Sequence, residues 1–218
     1  FGTEIRVVFK EIIRQRIHHE QHAVVVIAEE FLRLRHQMSP YLYSAMIETS
    51  EDGKALIEPM YYTAPKLKDA YNVPNEYTFG TELIVAPVTT KGDSEGLAKV
   101  TVWLPEGKWT DIFTGDEYEV GVGGKEITLL RDKDSIPVLI KEGGILPLSK
   151  DKGNAYDNPQ KLEVWAYTGN GEYTLYEDGG EVNAQKLFTK FTASCQNQGD
   201  VCTQTLTISS CGGEGVIP

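Results

Sequence analysis

The sequence predicts a mainly β protein with an N-terminal helical segment, and three observations carry that prediction. Before about residue 50 the apolar side chains recur at three- and four-residue steps, the period of a helix face. After Gly53 the period falls to two, in short apolar runs. Each run is closed by Gly, Pro, Asn or Asp, which is the punctuation of an antiparallel β-sandwich rather than of strands alternating with helices.

Taken in order, residues 4 to 50 read as helical. In "AEEFLRLRHQMSPYLYSAM", Ala28, Phe31, Leu34, Met38, Leu42 and Ala45 make one apolar stripe, with Arg33, Arg35 and His36 largely off it. A stripe of this kind must pack on something. Pro40 removes one intrahelical hydrogen bond and predicts a kink, and Gly53 is placed to cap the helix end. The strand candidates follow: "ALIEPMYY", "ELIVAPV", "KVTVWLP", "KEITLL", "IPVLIKEGGILPL", "KLEVWAY", "GEYTLYEDGG" and "TQTLTI". In "FGTELIVAPV" three consecutive apolar residues, Leu83, Ile84 and Val85, predict a strand covered on both faces, with Pro87 standing where the backbone leaves the ladder. The polar stretch 149–160 is the most linker-like. The expected division is a helical segment over 1–50, a β-sandwich over 51–150 and a second, incomplete β domain over 151–218.

Composition excludes several classes. With 218 residues and 40% hydrophobic content the chain can bury real cores. A formal charge of −11 repels phosphate backbones, so nucleic acid is not an expected partner. No apolar stretch reaches the roughly 18 residues that span a bilayer, and no signal segment opens a chain that begins at Phe1. The expectation is a soluble protein without a membrane partner, cytoplasmic or secreted. Cys195, Cys202 and Cys211 lack zinc-site spacing; two of them could bridge a hairpin or all could stay reduced.

The candidate chemistry is sparse. "HHEQH" at 18–22 misses both His-Glu-x-x-His and His-x-x-Glu-His by one residue, although His18 and His22 share a helix spacing that could hold a metal with a third ligand from elsewhere. Solvated helix histidines are the default reading, and neither metal nor cofactor is expected. Sugar hydrolysis needs two carboxyl groups facing each other across the bond. Glu29/Glu30, Glu51/Asp52 and Glu177/Asp178 are sequence neighbours, which point apart on a helix or strand. "LYEDGG" at 175–180 reads as a tight turn whose acids cap it or bind calcium. No G-x-S-x-G is present, and "GVGG" at 121–124 lacks the tail of a phosphate cradle. Trp103 and Trp165 lie in alternating runs and are expected in cores. Trp109, after "PEGK", is the candidate for carbohydrate binding, because an aromatic face suits the apolar face of a sugar.

The blocks "LRLRHQMSPYLYSAM", "EPMYY", "FGTELIVAPV", "VWLPEGKWTDIFTGDEY", "IPVLIKEGGILPL" and "YTLYEDGG", in this order and spacing, resemble the C-terminal third of the family 31 glycoside hydrolases, the α-glucosidase and α-xylosidase group, over residues 31 to 180. The resemblance implies antiparallel β-sandwich domains following the last helix of a (β/α)₈ barrel, with the helix around 28–47 as that last helix. It implies retaining α-glycoside hydrolysis by the parent enzyme. The family's nucleophile motif, Trp-x-Asp-Met-x-Glu in type, is absent, so no catalytic residue is assigned. The expected partner is the catalytic barrel, or another copy of the chain, through Phe31, Leu34, Met38 and Leu42. The alternative expectation is a free-standing carbohydrate-binding β-sandwich that takes an oligosaccharide on Trp109.

Overall fold

In chain order the elements are β1 (Glu4–Phe9), α1 (Ala23–Gln37), α2 (Ser39–Asp52), β2 (Ile57–Pro59), the single turn α3 (Met60–Thr63), β3 (Tyr77–Phe79), β4 (Leu83–Val85), β5 (Ala98–Leu104), β6 (Gly107–Asp111) and β7 (Glu117–Val120). They continue with β8 (Lys125–Arg131), β9 (Val138–Lys141), β10 (Ile145–Ser149), β11 (Lys161–Ala166), β12 (Gly171–Glu177), β13 (Leu187–Gln198) and β14 (Val201–Gly212). The computed structural model describes residues 4–9, 23–151, 158–181, 183–198 and 201–212. The chain divides into two compact units: one takes its two ends, Phe1–Lys54 and Gly143–Pro218, and the other is the stretch Ala55–Glu142 between them.

The Ala55–Glu142 unit is a β-sandwich. A six-stranded sheet in the order β2-β3-β4-β9-β6-β7 supplies Ile84, Leu139 and Val120 to a core, and the antiparallel pair β5-β8 supplies Val100, Val102, Trp103, Leu104 and Leu129. β4 is buried at all three positions between β3 and β9, as its unbroken apolar run requires. Trp103 is completely buried, and Gly124 explains how it fits. With φ at +79°, Gly124 takes a left-handed conformation, and a Cβ there would land inside the Trp103 indole. Glu76 is buried at 3% exposure beside it: its Oε2 accepts the Trp103 backbone N–H at 2.8 Å, while its Oε1 has no partner among the described residues.

The other unit holds two three-stranded sheets, β1-β11-β10 and β12-β13-β14, with α1 and α2. Helix α2 turns Tyr41, Ser44 and Ala45 inward and meets β10 and β12. The break between α1 and α2 falls at Met38, two residues before Pro40. The proline has no N–H to offer the His36 carbonyl, and the Ser39 hydroxyl donates to that carbonyl instead at 2.6 Å. Gly53, with φ at +72°, closes α2 by donating its N–H to Thr49 O at 3.0 Å.

Three expectations need correction. Residues Glu4–Phe9 form a strand parallel to β11, not the start of a helix. Ile5, Val7 and Val8 are β-branched residues suited to a pleated ladder, and the partner strand lies so far along the chain that no local pattern announces it. In "ALIEPMYY" only Ile57–Pro59 is extended, and Met60–Thr63 turns helical directly after the proline. Trp165 is not in the core. β11 buries Leu162, Val164 and Ala166, and the alternation puts Trp165 on the opposite face, half-buried, where its Nε1–H donates to Glu163 at 2.8 Å.

Candidate functional site

A concavity with chemistry lies in the two-ended unit. Helix α2 and the turn after β12 form two of its walls, and residues 158–160 before β11 contribute a third. The groove encloses about 710 Å³, within the range of small-molecule sites.

The turn sets the electrostatics. β12 ends at Glu177, and Asp178 then uses both carboxylate oxygens inside the fold. Its Oδ2 accepts the Tyr43 hydroxyl at 2.7 Å and the Tyr176 hydroxyl at 2.8 Å, and its Oδ1 accepts the Gly180 N–H at 2.8 Å. The Tyr43 hydroxyl, followed by the Gly180 N–H, holds the Asp178 carboxyl below the usual carboxylate range. The same hydrogen bond raises Tyr43, while burial and Asp178 push Tyr176 up to about 12. Asp178 is therefore a structural anion that ties α2 to β12. Glu177 differs: among the described residues its carboxyl has no hydrogen-bond partner, and burial pushes it up from the ordinary glutamate value.

Asn158 donates its Nδ2 to the Asp178 carbonyl at 2.7 Å, fixing that wall, while Met46 is exposed at the rim at 53%. Among the described residues no lysine or arginine lines the groove. Although Glu177 and Asp178 both line it, they do not make a hydrolytic pair, because one is consumed by three protein hydrogen bonds and both leave the end of a single strand. The groove can hold a ligand by hydrogen bonding. It does not present two free acids across a scissile bond.

The residues singled out from sequence fall in different places. Trp109, on β6, packs its ring against the sandwich core and donates its Nε1–H to Pro105 O at 3.0 Å; its cross-strand partners are Tyr118 and Lys141. Phe31, Leu34, Met38 and Leu42 are all half-buried, and Leu42 borders the groove. His18 and His22 lie outside the described residues. Cys195 and Cys202 are joined by a disulfide across the β13–β14 hairpin, with Cα atoms 5.9 Å apart. Among the described residues no three His, Cys, Asp or Glu side chains gather to hold a metal ion. Sequence reading treated the acids of "LYEDGG" as turn formers, which holds for Asp178 but missed the unpaired Glu177. The signal was the period of β12: Tyr173 and Leu175 point inward, so Glu177 continues an inward-facing row.

These features define a β-rich chain with a core, a turn-built groove and, among the described residues that line the groove, no hydrolytic pair. Residues 53–146 match the glycosyl hydrolase family 31 C-terminal domain. An α-glucosidase of Saccharolobus solfataricus is 32% identical over 84% of this chain and 22% of its own length. Alpha-glucosidase 2 of Bacillus thermoamyloliquefaciens is 29% identical over 71% of this chain and 19% of its own length. Among solved structures, a family 31 dextranase of Flavobacterium johnsoniae complexed with glucose superposes with a TM-score of 0.62 at 26% identity, covering 78% of this chain and 21% of that one. The chain spans about a fifth of the length of these relatives.

Proposed function

We propose that this chain acts as the C-terminal, non-catalytic β region of a larger retaining α-glycosidase, with 51–150 as its proximal and 151–218 as its distal β domain, and that carbohydrate hydrolysis belongs to a catalytic barrel preceding it. The family 31 C-terminal domain over residues 53–146 is the observation that carries this reading. The α-glucosidase names of two relatives, each matched over about a fifth of its length, support the substrate class. Helix α2 supports the attachment. Its Tyr41, Ser44 and Ala45 are buried in the fold, whereas Phe31, Leu34, Met38 and Leu42 keep a second apolar row half-open for a neighbour.

Retention requires a carboxylate nucleophile and a carboxylic acid on opposite sides of the glycosidic bond. In this reading both come from the barrel, and the β domains hold it in shape. Incubating the chain with p-nitrophenyl α-glucoside and α-xyloside tests the assignment. No release of nitrophenol is expected, and turnover that disappears on substituting a residue of this chain would overturn it.

A further inference from the structure

We propose that the groove beside α2 is a saccharide-binding site, with Glu177 as an acceptor on its wall and Met46 as the apolar surface at its rim. The choice of a sugar among neutral, hydroxyl-rich ligands rests on the family reading above; the existence of the site rests on the groove.

The argument begins with Glu177. Its carboxyl lines a cavity of about 710 Å³ and lacks a hydrogen bond among the described residues. A carboxyl partly withdrawn from water without a partner is costly unless a ligand supplies donors. A protein segment closing the groove would desolvate it further. Among the described residues that line the groove no lysine or arginine stands to compensate, and His36 is the one basic side chain. That composition disfavours an anionic ligand. Burial raises the carboxyl's proton affinity, so a neutral donor suits it better than a permanent cation.

The neighbours supply what a polyol needs. Asn158 commits its Nδ2 to the Asp178 carbonyl, which leaves its Oδ1 for a ligand hydroxyl. The Tyr43 hydroxyl donates to Asp178 and can still accept. Gln160 carries a side-chain amide with no hydrogen bond among the described residues, while Met46 offers exposed apolar surface to a pyranose face. Because Asp178 locks Tyr43, Tyr176 and the Gly180 turn together, the wall is pre-organised and little ordering entropy is lost on binding.

Titrating the 218-residue chain with maltotriose and with isomaltotriose, read by calorimetry and by backbone amide shifts, tests the proposal. The expected result is saturable binding of at least one sugar with a Kd of about 1 mM. Glu177→Ala should weaken it about tenfold, and the rim variant Gln160→Ala, which touches no core contact, should weaken it about threefold. Trp109→Ala should leave it unchanged. Absence of saturation by either sugar, affinity indifferent to both Glu177→Ala and Gln160→Ala, or tighter binding of spermidine than of either sugar would overturn the proposal. Each of those outcomes leaves the nitrophenyl-glycoside result untouched, so failure of the site and failure of the family reading are separable.

Discussion

Glu76 is a buried acid whose second oxygen has no partner among the described residues, and burial pushes its pKa up to about 8 despite the Trp103 N–H, which pulls the other way. The sign of its effect on stability follows. In the unfolded chain the group titrates near the ordinary 4.5, so between that value and about 8 the folded state binds the extra proton. Its contribution is fully present below pH 4.5, declines as pH rises and is lost above about 8. Urea melts followed by tryptophan fluorescence should show this group costing roughly 2–4 kcal/mol between pH 5 and pH 9. In Glu76→Gln that pH dependence should disappear, and a wild-type profile flat over the same window would refute the assignment. None of this was legible in "NVPNEYTF", where Glu76 reads as a loop acid. Its burial depends on Trp103, which lies on another strand 27 residues away. Glu177, by contrast, was missed although the period of β12 reaches it, and Trp103 was placed correctly because it sits in a run with period two.

At the scale of elements, one buried hydroxyl bridges α2 and β12. Ser44 donates to the Pro40 carbonyl at 2.9 Å and accepts the buried Tyr176 N–H, also at 2.9 Å. Ser44→Ala would leave that N–H unpaired in the interior, at a cost of about 1–3 kcal/mol. Chemical denaturation should register the loss, while Ser39→Ala, at the half-buried helix junction, should cost less. A Ser44→Ala midpoint equal to wild type would show that water can replace the hydroxyl. Elements with strong local signals were the legible ones: the unbroken Leu83-Ile84-Val85 run, the alternation of β5 and β8, and the helix stop at Gly53. Those that were missed lack such signals. β6 and β7 are short and polar, and the inward row of β13 includes Ala193 and Cys195, small side chains that hardly register as an apolar stripe. β1 is specified by β11, more than 150 residues downstream in register.

For the whole molecule, the half-open row at Phe31, Leu34, Met38 and Leu42 has a measurable consequence. Sedimentation velocity of the isolated chain should show concentration-dependent association, relieved by Leu34→Asp, which changes a half-buried position without entering the core. A monodisperse monomer over a hundredfold concentration range would count against the row as a docking face. The likeness to family 31 was legible from the order of several blocks, most of which are strands with their closing turns, as in the buried run Leu83-Ile84-Val85. The parent's sugar and linkage were not legible, because the groups that would choose them are proposed to lie in the barrel.

The hydrogen bond from Tyr43 to Asp178 joins residues 135 positions apart, and the whole of Ala55–Glu142 is written between them. A ribosome adding about 5–20 residues per second takes roughly 7–27 seconds to cross that interval. Through that wait α2 has emerged without the strand it needs, while the sandwich encoded in between already has every residue of its core. Translation thus imposes a timetable, in which the inserted unit matures first and the nascent helix depends on shielding until the last strands arrive.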